Sequence, residues 1–177
     1  MSKLALGTAQ FGMDYGISNQ RGKIPEREVF EILDKAIGAG VDMLDTAAGY
    51  GDSENILGKY LKSKGDAFKI ISKLPKCAPD QIPGQVLSSL KKLNVGSLYG
   101  YLFHDFNSFK EHPEIIEILR GLKSKGVINK IGFSVYYPAE IDLLIDRKIE
   151  FDIIQAPYNV FDRRFEESFI RLKTRGI

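Results

Sequence analysis

Asp45 and Tyr50 bracket a short polar stretch in LDTAAGYGDSENILGKYL, residues 44–61, where an apolar run gives way to a helical one. Two further segments end in side chains that can do chemistry: Lys73 closes the apolar run KIISK, and His104 and Asp105 follow YLF. A lysine at the end of a buried strand costs free energy when desolvated without a partner, so a carboxylate is expected beside it. Asp45 on the neighbouring strand can supply it. A phenol in water ionises at about 10, too high for a ready proton donor at neutral pH, and a nearby ammonium lowers that value. Lys73 beside Tyr50 would therefore make the tyrosine a usable general acid or base. An imidazole at His104 would hydrogen-bond a substrate carbonyl oxygen and stabilise the negative charge developing on it. None of the four can donate hydride, so carbonyl reduction here needs a nicotinamide laid across the site.

These side chains can meet only at one end of a common scaffold. LALGTA (4–9), VDMLDTA (41–47), KIISKL (69–74), LYGYLF (98–103), KIGFSVYY (130–137) and FDIIQA (151–156) read as strands buried on both faces. Between them Val29, Ile32, Leu33, Ala36 and Ile37 follow helical spacing, as do Ile82, Val86, Leu90 and Leu93, and again Ile115, Ile118, Leu119 and Leu122. Pro25 opens the first of these helices and Gly40 follows its end. Residues 52–61, 139–145 and 164–173 also read as helical, the first capped by Asp52 or Ser53. Strand then helix, repeated along the chain, implies parallel strands with right-handed crossovers.

An open doubly wound sheet and a (β/α)8 barrel both fit that alternation. GTAQFGMDYG lacks the G-x-G-x-x-G turn expected after the first strand of the open sheet. Lys-Ser-Lys-Gly stops a helix at 62–65 and 123–126, and Lys173-Thr174-Arg175-Gly176 is the same kind of stop, with Ile177 in place to begin another strand. Both observations favour an α/β fold of the parallel (β/α)8 TIM barrel type, one domain over 1–177 with about six strand-helix units, incomplete at its C-terminus. Such a piece would leave its first and sixth strands with unpaired edges, so the chain is expected either to self-associate or to be the ordered part of a longer polypeptide, and in both cases to bind NADPH poorly by itself. The functional face of a parallel barrel lies at the C-terminal ends of its strands. Thr8, Gln10, Asp45, Tyr50, Lys73, His104, Asp105, Ser134, Gln155 and Asn159 fall there.

With 177 residues, 44% hydrophobic and 27% charged, the chain can bury one sizeable core. A net charge of +2 with scattered lysines points to neither nucleic acid nor an anionic membrane. Cys77 is the only cysteine, so no internal disulfide and no cysteine-rich metal cluster can form, and no metal is expected. MSKLALGTAQFG lacks a signal-peptide core, and no apolar run approaches the roughly 20 residues of a spanning helix, so a cytoplasmic location is expected.

LDTAAGYGDSENILGKYL, together with LGTAQFG at 6–12, ISKL at 71–74, YLFHD at 101–105 and QAPYN at 155–159, resembles the aldo-keto reductases, NADPH-dependent (β/α)8-barrel oxidoreductases. The resemblance implies that Asp45, Tyr50, Lys73 and His104 form a catalytic tetrad reducing a small-molecule aldehyde or ketone, with Tyr50 as proton donor and NADPH as cofactor. It further implies that Gly7, Thr8 and Asp45 lie near the cofactor and that Ser134 and Gln155 hydrogen-bond its carboxamide. Val135 stands where the family commonly has an asparagine on that carboxamide, and the family's pyrophosphate and 2′-phosphate contacts come from strands beyond Ile177.

Plainer readings stand beside these. His112, just before Pro113, reads as structural, Cys77 as an incidental thiol, and Tyr136-Tyr137-Pro138 as a structural turn or a cover for bound cofactor. A non-catalytic nucleotide-sensing or scaffold barrel, and a Schiff-base lyase using Lys73, are the alternative functions.

Overall fold

The computed structural model of the protein describes residues 4–177. Six strands, β1 (Leu6–Gly7), β2 (Met43–Asp45), β3 (Lys69–Leu74), β4 (Gly100–Phe103), β5 (Ile131–Ser134) and β6 (Ile153–Gln155), pair in parallel in strict chain order. An open doubly wound sheet reverses its strand order at a switch point. This sheet has no reversal, which is the consecutive winding of a (β/α)8 barrel. Among the described residues β1 pairs with β2 alone and β6 with β5 alone.

The crossovers are α1 (Ala9–Gly12) and α2 (Glu26–Gly38), α3 (Ser53–Lys64), α4 (Ile82–Leu93), α5 (Phe106–Glu111) and α6 (Ile115–Ser124), and α7 (Pro138–Asp146), with α8 (Glu166–Lys173) after β6. Helical spacing brings Val29 and Leu33 of α2, Ile56, Leu57 and Tyr60 of α3, and Ile82, Val86 and Leu93 of α4 onto one outer core. The sheet answers with Leu44, Ile70, Leu74, Tyr101, Phe103 and Phe133, the last two rings stacked at 4.7 Å. Alternation along β3 sends Ile70, Ser72 and Leu74 to this helix side and Ile71 and Lys73 to the inner side. Gly100 of β4 faces the same interior, where an added Cβ would meet Ile71 and Ile153.

Two expectations change. α5 was not foreseen between His104 and Pro113; its six residues are too few to show a period, and Asp105 caps it by accepting the amide of Asn107 at 2.9 Å. α3 has no side-chain cap: Asp52 accepts instead from the Asn55 side chain, and Ser53 turns inward to β1. Gly65 and Gly126 do end their helices with positive φ, 64° and 71°. Among the described residues no helix is long and apolar enough to cross a membrane.

α3 and α4 cross at Gly58, where a built Cβ would stand 1.9 Å from the Lys92 carbonyl oxygen. Backbone against backbone leaves nothing flexible to move aside. Gly58→Ala should therefore lower unfolding free energy by about 1–3 kcal/mol, the usual cost of overpacking, as read from a denaturant or thermal transition.

Candidate active site

Parallel register sets the reactive side chains at one level. Asp45 is opposite Gly7 on one side and Ile71 on the other, and Lys73 is opposite Leu102, one residue short of the strand end where His104 follows. The Lys73 side chain is 1% exposed and donates to Asp45 Oδ1 and Oδ2 at 2.8 and 2.9 Å, to the Thr46 carbonyl at 2.9 Å and to the Tyr50 hydroxyl at 3.2 Å. Its ammonium is thus surrounded, and it also lies 4.8 Å from the centre of the Tyr50 ring. Because Lys73 donates to the Tyr50 oxygen, the phenolic proton is left free to point elsewhere.

His104 meets Tyr50 edge to face, ring centres 5.6 Å apart, and makes no hydrogen bond to any described residue. Tyr50, Lys73 and His104 line a cleft of about 320 Å³ with Tyr15, Ser134, Tyr136 and Gln155. The structure therefore brings together all four members of the expected tetrad. Ser134 and Gln155 sit opposite one another in register at the ends of β5 and β6, and their side chains make no hydrogen bond to described residues. A hydroxyl and an amide side by side match the donor and acceptor needs of a carboxamide. Gly7 is exposed at its strand end, whereas Thr8 is buried, its hydroxyl donating to the Asp45 carbonyl at 2.9 Å. Val135 is buried, and its amide extends the β5–β6 ladder to the Gln155 carbonyl.

The loop that carries Tyr50 is held from both ends. Tyr50 closes a turn on the Ala47 carbonyl, and Ser53 donates to the Thr8 carbonyl at 3.0 Å and lies 3.1 Å from the Thr46 hydroxyl. Gly12 is required beneath this loop, because a Cβ there would stand 1.8 Å from the Tyr50 carbonyl oxygen. Tyr15 and Tyr136 both line the cleft; Tyr15 was not singled out from sequence, because it lies in a loop with no period to read. Asn19 and Gln10 fix that loop by donating to the Tyr15 carbonyl. Tyr136 and Tyr137 give their amides to Glu140, and Pro138 opens α7, so this segment is a structural turn that also walls the cleft.

The electrostatics correct one expectation. Burial pushes the Tyr50 phenol up to about 12, and the Asp45 charge adds to the rise. The ammonium does not reverse this, because Asp45 takes it bidentately and the pair presents little net charge to the phenol. Burial also pulls the Lys73 ammonium below its ordinary value against the opposing pull of Asp45, and burial with the Lys73 charge lowers His104. A neutral imidazole keeps one N–H donor and one acceptor.

A family model described as the aldo/keto reductase family matches residues 3–175. The chain belongs to the aldo/keto reductase family. Aldo-keto reductase YhdN of Bacillus subtilis is 29% identical over 96% of this chain, and the NADH-specific methylglyoxal reductase of Escherichia coli is 28% identical over 97%. The chain spans 54% and 60% of those two proteins' lengths. The holo structure of aldo-keto reductase AKR11C1 from Bacillus halodurans superposes with a TM-score of 0.82 at 25% identity, covering 98% of this chain and 59% of that one.

The ion pair is asymmetric, since the Asp45 side chain is 16% exposed against 1% for Lys73. Asp45→Asn strands a buried ammonium, whereas Lys73→Met leaves a carboxylate that water can reach. Asp45→Asn should cost about 3 kcal/mol of stability and Lys73→Met clearly less, as compared in urea titrations.

Proposed function

We propose that the protein is an NADPH-dependent carbonyl reductase in which Tyr50 protonates the substrate oxygen. The observation that carries this reading is the single point beneath the cleft where the Lys73 ammonium meets both the Asp45 carboxylate and the Tyr50 hydroxyl. When bound, a reduced nicotinamide supplies the hydride. Ser134 and Gln155 would hold its carboxamide, with Gly7 at the exposed end of β1 giving room.

In this reading His104 donates an N–H to the substrate carbonyl oxygen and orients it toward Tyr50. Tyr50 then delivers its free proton to that oxygen as negative charge builds there. An alkoxide is far more basic than a phenolate, so transfer from a phenol near 12 runs downhill. Lys73 stabilises the phenolate left behind, and Asp45 keeps Lys73 charged and aimed. A Schiff base at Lys73 would need a free amine lone pair, and here the amine is engaged by a carboxylate, a carbonyl and a phenol.

Tyr50→Phe should retain cofactor binding and lower kcat by about 10² to 10⁴. Near-normal carbonyl reduction by that variant would reject the assignment. The raised phenol pKa carries a sign: Tyr50 keeps its proton up to about pH 12, so reduction retains its donor through alkaline pH. The reverse alcohol oxidation needs phenolate and should rise with pH toward that value, as pH–rate profiles in the two directions will test. The Escherichia coli relative is by name NADH-specific, and kcat/KM with NADPH against NADH decides the cofactor.

A further inference from the structure

Glu54 is a buried carboxylate that the proton-donation scheme does not use. It occupies the first turn of α3, four residues after Tyr50, with its side chain 3% exposed. Its Oε1 accepts from the Ser72 hydroxyl at 2.7 Å, while Oε2 has no hydrogen-bond partner and the Lys92 ammonium stands off at 3.9 Å. The buried Tyr101 hydroxyl lies close to Ser89 and feels the Glu54 charge, and Tyr101 is opposite Ser72 in the sheet. An apolar side chain at position 54 could fill the same space at lower desolvation cost. A buried polar group kept at such a cost calls for a reason beyond packing.

The reason lies in what the bond joins. Ser72 is the residue before Lys73, and its side chain points to the helix face of β3 while Lys73 points to the cleft face. Ser53, the neighbour of Glu54, ties the same helix start to Thr8 and lies against Thr46. Successive residues on a helix diverge by a large angle, so the two bonds fix the start of α3 in two directions. Tyr50 hangs from that start, its carbonyl accepting the Ser53 amide at 3.1 Å, and its ring covers the Lys73 ammonium.

We propose that Glu54 is a positioning residue: by holding Ser72 it clamps the start of α3, and Tyr50 with it, onto the strand that carries Lys73. The clamp is directional where an apolar contact would let α3 slide. Its functional meaning rests on the reading of Tyr50 and Lys73 as the working pair.

The test follows exchange of the Lys73 ammonium protons with water by nitrogen-15 NMR at neutral pH. Glu54→Leu and Ser72→Ala should each speed exchange by at least about ten-fold through local opening, and the double variant should be no faster than the more affected single one. Glu54→Gln keeps an acceptor for Ser72 and should restore slow exchange. Val29→Ala, a core truncation on α2, serves as a control that lowers stability without speeding exchange. In turnover, Glu54→Leu should cut kcat about ten-fold at unchanged cofactor KM, the signature of misplacement. Parent-like exchange in folded Glu54→Leu and in Ser72→Ala would overturn the clamp; should Glu54→Leu fail to fold, Ser72→Ala decides alone. Full activity in Tyr50→Phe would instead remove the catalytic reading and leave the exchange result standing.

Discussion

Everything at the cleft depends on one buried ion pair. Lys73 is almost fully removed from water, and only the bidentate carboxylate of Asp45 makes that tolerable. The requirement runs backward into the fold. For the two groups to meet, β2 and β3 must be neighbours in parallel register, with Asp45 paired to Ile71 so that Lys73 lies just beyond it. It also runs forward into the chemistry, because a lysine held this way can donate to Tyr50 without drifting toward solvent.

The pair also explains why Tyr50 remains a strong holder of its proton. An unpaired ammonium would pull the phenol toward ionisation, but a neutralised one leaves burial to dominate. In the proposed reading the site is a proton source whose charge after donation is met by a cation already in place.

Much of this was legible in the chain. KIISKL is bounded in the structure as it reads in sequence, because a strand buried on both faces shows as a mostly apolar run, here with Lys69 at its entrance and Lys73 near its exit. β1 and β2 proved shorter than their apolar runs, although the amides of Thr8 and Thr46 still donate to the Asp45 and Ile71 carbonyls just past the two strands. The direction of the Tyr50 shift could not be read, because it turns on both Asp45 oxygens engaging Lys73, a matter of ångströms. Glu54 was equally hidden: an acid in a first helical turn normally signals an exposed charge on the helix dipole, and only the packing against β3 shows it inside.

The strict order of the sheet has a kinetic corollary. When every strand pairs with its predecessor, each strand–helix unit docks on structure already formed, and each new pairing closes a single crossover. Asp45, Tyr50, Lys73 and His104 all lie between the end of β2 and the residue that follows β4. A chain emerging from its N-terminus therefore presents Asp45, Tyr50, Lys73 and His104 before Ser134 or Gln155 has been synthesised.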